Sequence, residues 1–361
     1  MKLIYFNVEI SHFVFEGINR TKRLRMIKYK GITYDVGTEY IPGIFTRDSL
    51  EEERVEFDMD AIRNKLNCNS VRIYGKEPER LILAAGIALK YGLEVWLSPR
   101  LIDADIENTL TYLEGIASGF ELLKQKYPAR ELDLVVGGEL TTDMSSFVHG
   151  DSILERIANL LKPAFFIKNS SGIEAGYQKS FDKFLKEAVS TVRKKFSGKV
   201  TYASAMWENV DWSDFDFISM NLYKASFNES FHDKILKKLV SGKKPVVITE
   251  FGCSSYEGAD SKGPTGYSVL DFSKIPPVFR EKCVRNEKVQ ADYIIDLLRT
   301  YDKGKVTGAF VFDFYSQRYT YSNDPDKDYD MVSFSITKSL GNNLWEPKES
   351  FHRIAEYFKE K

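Results

Sequence analysis

SVRIYGKEPERLILAAGIALKYGLEVWLS, residues 70–98, decides the fold. Ser70 to Tyr74 is a short apolar run with β-branched residues, and Pro78 to Tyr91 carries a helical period. Gly92 stands where that helix should stop, and Glu94 to Ser98 is a second short apolar run. Two such runs joined by one amphipathic helix form a β-α-β unit of a parallel sheet. The alternation recurs on both sides. Further strands are expected at Gly31 to Asp35, Leu132 to Gly137, Lys199 to Ala205, Phe217 to Leu222, Pro245 to Thr249 and Val306 to Phe312, which brings the total to eight. Helical patterns lie at Met59 to Leu66, Ile106 to Tyr127, Gln178 to Phe196, Phe231 to Val240, Lys288 to Tyr301 and Lys348 to Phe358, with Gly198 and Gly242 as further stop signals.

Eight strand-helix units without a Pro/Gly/Ser-rich divide predict a single (β/α)8 TIM barrel over residues 29–361. A doubly wound fold would need a GxGxxG turn after its first strand, and Gly31-Ile-Thr-Tyr-Asp-Val-Gly37 does not supply it. Residues 1–28 alternate apolar and polar side chains and are expected to form an N-terminal β-hairpin extension.

Composition narrows the function. The 361 residues are 43% hydrophobic and 29% charged, which suits a globular chain with a large core. Lys plus Arg number 51 against 52 for Asp plus Glu, so the net charge of -1 offers no general attraction to nucleic acid or an acidic membrane. The basic run from Arg20 to Lys30 lacks interleaved aromatic platforms and reads as a solvated face. Cys68, Cys253 and Cys283 form no CxxC pair and are expected to be buried free thiols of a cytoplasmic protein. No apolar stretch is long enough to span a membrane.

In a barrel, the loops after the strands gather on one face, where polar groups at strand ends converge. Those groups are Asp35, Arg72, Ser98, Arg100, Glu139, Trp207, Glu208, Tyr223, Glu250 and Asp313. None of His12, His149, His232 and His352 lies at a strand end, so a His-based metal centre or catalytic triad lacks support, and no cofactor motif is present. Asp324-Pro-Asp-Lys-Asp-Tyr-Asp330 has alternating acids, but Tyr329 and Ser335 stand where a calcium loop needs Gly and Glu. Two long connections, Phe251 to Asn286 and Asp313 to Pro347, bring aromatic side chains such as Tyr256 and Tyr315 toward that face.

Two carboxylates each end an apolar run: Leu132-Asp-Leu-Val-Val-Gly-Gly-Glu139 and Pro245-Val-Val-Ile-Thr-Glu250-Phe-Gly252. Alone, either could cap a helix or pair with an Arg. Together, on strands four and seven, they are placed to flank one cleft, and a pair of carboxyl groups is what glycoside hydrolysis requires.

The pattern resembles the clan of retaining (β/α)8 glycoside hydrolases whose acid/base Glu ends strand four and whose nucleophile ends strand seven. The resemblance implies Glu139 as acid/base, Glu250 as nucleophile, and Arg72 in Ser70-Val-Arg-Ile-Tyr74 and Tyr223 in Ser219-Met-Asn-Leu-Tyr223 as supports of the nucleophile. Asp35, Trp207, Glu208, Tyr256, Asp313 and Tyr315 are the expected contacts to a small sugar or oligosaccharide, and the near-zero net charge fits a neutral one. Two departures stand out. Gly138 replaces the clan's Asn that binds the sugar 2-hydroxyl, and Phe310-Val-Phe-Asp-Phe314 lacks the strand-eight Trp platform. They leave open a second reading, an inactive carbohydrate-binding or interaction protein on the same barrel. At finer grain, Lys30 to Glu39, Glu94 to Pro99, Val246 to Cys253 and Trp345 to Phe351 are similar to barrel proteins labelled "abortive infection protein", a label that implies no mechanism.

Overall fold

The computed structural model describes residues 27–160, 177–274 and 276–360. The expected N-terminal hairpin over 1–28 lies outside the described residues except for its last two. Eight parallel strands form the barrel: β1 Tyr29–Asp35, β2 Ser70–Gly75, β3 Glu94–Pro99, β4 Leu132–Gly138, β5 Lys199–Ala203, β6 Ile218–Asn221, β7 Val246–Phe251 and β8 Gly308–Val311. Neighbours pair in the order β5, β4, β3, β2, β1, β8, β7, β6. Closure comes from Ser204, whose N–H donates to Ser219 O at 3.1 Å and whose C=O accepts from Asn221 N–H at 2.9 Å. Each expected strand is present, and helices follow on the outside after every strand but β5, which leads to β6 through residues 204–217 without one.

Local chemistry sets the helix limits. Asp105 caps the helix Ile106–Lys126 by accepting from Asn108 N–H at 2.8 Å, Pro78 opens Pro78–Lys90, and Gly92 at φ 80° ends that helix in the left-handed region. The helix expected from Met59 begins earlier, at Glu52, and runs to Asp60 before a π-helical turn over Ala61–Lys65. Its first turn is Glu-Glu-Arg, which hides the apolar period until Val55.

Parallel strands are covered on both faces, and here most of their residues are buried. The barrel interior is plugged by Tyr29, Trp96, Val135, Phe217, Val247 and Phe310. The Trp96 ring centroid lies 4.9 Å from that of Phe217 and 5.3 Å from that of Phe310. Gly31 makes room for the plug, since a Cβ there would sit 2.3 Å from the Phe310 ring. Above the plug, side chains turn polar: Arg72, Ser98, Thr201, Ser219 and Thr249 are all buried.

The two long connections are folded and joined. Tyr256, Val269, Leu270 and Cys283 of the first pack against Met331 and Val332 of the second. Arg285 pairs with Asp328 at 2.9 Å and Asp330 at 2.7 Å, and the fully buried Lys348 pairs with Asp330 at 2.9 Å. The last two acids of the alternating run are thus taken by cations of the chain itself.

Candidate active site

Two strand irregularities shape the mouth of the barrel. The β4–β5 register shifts between Val135 and Gly138, with Gly137 at φ 134°, where an added Cβ would lie 2.8 Å from Leu140. Glu139 follows at φ 52° and ψ 37°, a left-handed conformation that costs a non-glycine residue on the order of 1 kcal/mol. A second shift, between Met220 and Asn221, sets Asn221 beside Glu250 across β6 and β7. Bulges of this kind re-aim side chains at strand ends.

Glu250 is 6% exposed and held by two groups. Arg72 Nη1 donates to its Oε1 at 2.6 Å, and Tyr223 Oη donates to its Oε2 at 3.1 Å. Arg72 is itself fixed, donating to Ser98 Oγ at 2.9 Å and to the Thr249 carbonyl at 3.2 Å. Burial first, then the Glu250 charge, hold the Tyr223 phenol well above its ordinary pKa, so it remains a donor.

Glu139 keeps some contact with solvent and accepts one hydrogen bond, from Asn221 Nδ2 at 3.0 Å. Burial among protein groups, followed by the charge of Glu250, pushes its carboxyl up to about 7, against the opposing pull of Arg100 and Asn221. Glu139, with a single donor and the Glu250 charge nearby, is the group whose affinity for its proton is raised.

Asp35, Tyr74 and Asp313 end three adjacent strands, β1, β2 and β8. Asp35 pairs with Tyr74 in register, and Tyr74 Oη lies 3.4 Å from Asp313 Oδ2. Burial, then the neighbouring Asp35, push Asp313 up to about 7. Trp207 is 38% exposed, with its Nε1–H on Thr141 Oγ1 at 3.0 Å, two residues from Glu139. Asp35 and Asp313 are buried, Asp35 accepting from Gly37 N–H at 2.8 Å and Asp313 lying 3.4 Å from Ser316 Oγ as well, whereas Trp207 is the exposed member of this group.

Three other expected sugar contacts are engaged elsewhere. Glu208 accepts from Thr141 N–H, Thr141 Oγ1, Tyr202 Oη and Ala205 N–H, which occupies both its oxygens in bracing the β4 and β5 ends together. Tyr256 is buried in the cluster between the two long connections and donates to the Gly266 carbonyl at 2.8 Å. Tyr315 is 3% exposed, in the main core, where its hydroxyl accepts from Ser339 Oγ at 3.3 Å. An aromatic side chain in a long loop fills the loop's own core as readily as it lines a cleft.

The strand-end reading passed over Asn221 as a functional group, although Ser219, Asn221 and Tyr223 share one face of β6 by the two-residue period. It also could not supply the partner of Arg100. That guanidinium lies 5.0 Å from the Tyr40 ring centroid and is bound twice by Asp143, at 2.7 and 3.1 Å, so its charge is neutralised by a helix turn that only the fold brings near.

The chain has counterparts among known proteins. The family model of Glycoside Hydrolase Family 113 matches residues 154–333. That match covers just under half of the chain and supports a glycoside hydrolase. Among solved structures, β-glucuronidase 2 of Bacteroides uniformis aligns over 92% of this chain and 35% of its own, at 14% identity and a TM-score of 0.56. The chain thus spans about a third of the length of the β-glucuronidase chains it matches. A β-glucosidase, 1317, aligns over 92% of this chain and 98% of its own, at 12% identity and a TM-score of 0.53. A broad-specificity endoglucanase from Clostridium longisporum aligns over 94% and 98%, at 11% identity and a TM-score of 0.53. At these identities the likeness is one of fold. No curated protein sequence matches. Among the described residues, no helix is long and apolar enough to cross a membrane.

Proposed function

We propose that this protein is a retaining glycoside hydrolase acting on a neutral carbohydrate, with Glu250 as nucleophile and Glu139 as acid/base. The observation that carries the proposal is the unequal treatment of the two carboxyl groups. Arg72 and Tyr223 each take one oxygen of Glu250 and favour its anion, whereas Glu139 is left with one amide donor and a raised affinity for its proton. Glu250 then attacks the anomeric carbon as Glu139 gives its proton to the departing oxygen and the glycosidic bond breaks. In the second half, Glu139 takes a proton from water, the water oxygen bonds to the anomeric carbon, and the ester to Glu250 breaks.

The surrounding charge supports a neutral sugar. Arg72 is committed to Glu250 and Arg100 to Asp143, while Asp35 and Asp313 add acidic groups to the rim. A uronate would meet no uncommitted cation among these groups. The buried thiols of Cys68, Cys253 and Cys283 suit a reducing compartment, and we assign the protein to the cytoplasm.

An inactive barrel is the second reading, and Gly138 is its support. A Cβ at that position would lie 3.3 Å from Ala203 Cβ and 3.4 Å from Arg72 Nη2, a tight fit beside the group that holds Glu250, and glycine brings no side chain for the 2-hydroxyl that the clan's Asn binds. Labelling separates the two readings. An activated 2-fluoro glycoside, drawn from gluco, manno, galacto and xylo configurations, should leave the mass of its sugar on Glu250. A chain that binds sugars of this set without acquiring label is a binder.

A further inference from the structure

Asn221 stands between two groups. Its Nδ2 donates to Glu139 Oε1 at 3.0 Å, and its Oδ1 accepts from Thr249 Oγ1 at 2.8 Å. A carboxamide has nearly the same shape when turned end for end, but its hydrogen bonding is reversed; a hydroxyl can meet either end, yet with the turned amide the Thr249 hydroxyl hydrogen would lose its acceptor, Asn221 Oδ1. Thr249 is fully buried, and the bond to Asn221 is the one hydrogen bond of its hydroxyl among the described residues. Asn221 is 4% exposed, so water has little access with which to replace that bond.

We propose that Thr249 is a positioning residue that acts through Asn221: its hydroxyl fixes the carboxamide with the NH2 toward Glu139, so that the acid/base faces a donor. The functional meaning rests on the glycosidase reading. Such a donor favours the Glu139 anion, the form needed to receive a proton from water, and opposes the burial and the Glu250 charge that favour the acid. The same Thr249 residue accepts from Arg72 through its carbonyl, and Arg72 holds Glu250. One residue thereby touches the supports of both carboxylates.

The groups that face Glu139 come from several elements: Glu250 on β7, Arg100 after β3, Asp143 on the turn after β4, and Asn221 with Tyr223 at the end of β6. Of these, Asn221 is the one whose side chain the Thr249 hydroxyl contacts. With valine, the carboxamide is free to turn, and the turned amide accepts from protonated Glu139. The protonated form gains a partner, so the titration midpoint of Glu139 rises.

Carbon-13 NMR titration of glutamate-labelled full-length protein reads this directly, with the Glu139 signal assigned by its loss in Glu139→Gln. Thr249→Val should raise the midpoint by roughly 0.5 to 1 pH unit, while Thr249→Ser, which keeps the hydroxyl, should hold it at the wild-type position. Asn221→Ala should also raise it, and adding Thr249→Val to Asn221→Ala should move it no further. Should the valine variant not fold, Thr249→Ala carries the same expectation. An unmoved midpoint in Thr249→Val, or a further shift in the double variant, overturns the proposal. The titration needs no substrate, so a wild-type protein that hydrolyses no aryl glycoside counts against the glycosidase reading alone.

Discussion

β4 carries a buried carboxyl group at each end, and the two invite comparison. Asp133 near its start and Glu139 just past its finish are both pushed up to about 7, chiefly by burial. Their surroundings differ. Asp133 Oδ2 has no hydrogen-bond partner and lies beside Trp96, whose Nε1 is also without one, among the described residues. Glu139 keeps contact with solvent, accepts from an oriented amide and faces a second carboxylate held by Arg72 and Tyr223. A displaced titration therefore does not by itself mark a site. What separates the two ends is convergence: several strands deliver hydrogen-bonding and acidic groups to Glu139, whereas Asp133, though Lys199 and Glu131 act on it by charge, has its Oδ2 without a hydrogen-bond partner among the described residues.

The largest test of that contrast is Glu250→Gln, expected to lower kcat on an activated aryl glycoside by about 10⁴-fold or more, with the fold retained as circular dichroism would show. Asp133→Asn should leave kcat untouched. Glu139→Gln should lower the rate on poor leaving groups by roughly 10² to 10⁴-fold while sparing a dinitrophenyl leaving group in the first half-reaction, as pre-steady-state kinetics would detect. Equal losses on both would remove Glu139 from the acid role. Because the acid must be protonated, kcat/KM should fall as pH rises through about 7 in the wild type. Tyr223→Phe removes one hydrogen bond to a charged group and should cost about 10 to 100-fold in kcat/KM.

The other end of the strand is expected to respond in stability and not in rate. Asp133 is raised from its ordinary 3.8 to about 7, so between those values the folded chain binds more protons than the unfolded one, and stability falls as pH rises through that window. Asp133→Asn removes this loss. Its melting temperature should exceed that of the wild type by about 2–5 °C at pH 8 and match it at pH 4, as calorimetry would show.

The contrast also explains which parts of the molecule could be read from sequence. Strands announce themselves through runs such as Val71 to Ile73 and Val246 to Ile248 because burial on both faces demands such runs. A charge directly after one of them, as at Glu139 and Glu250, then marks a strand end. The resemblance to the glycosidase clan, and not the single strands, implies Arg72 and Tyr223 as neighbours of Glu250, and both contact it. Neither could reveal what another element supplies: Asp143 neutralising Arg100, Thr249 holding Asn221, or the four donors that occupy Glu208. Tyr256 and Tyr315 show the same limit, since a loop's aromatic content does not tell whether the rings face a ligand or the loop's own interior. The helix beginning at Glu52 lacked an apolar signal because its first turn is charged.

The left-handed backbone at Glu139 bears on the history of the protein as well as on its chemistry. Glycine adopts that conformation without a Cβ penalty, and Asn tolerates it better than Glu. Glu139→Gly should therefore melt higher than Glu139→Ala, by about 1 kcal/mol in unfolding free energy, even though neither retains an acid/base. A lineage that had abandoned catalysis would gain stability from the first glycine or asparagine to arise at this codon. The glutamate at 139 is thus a choice that the local backbone disfavours.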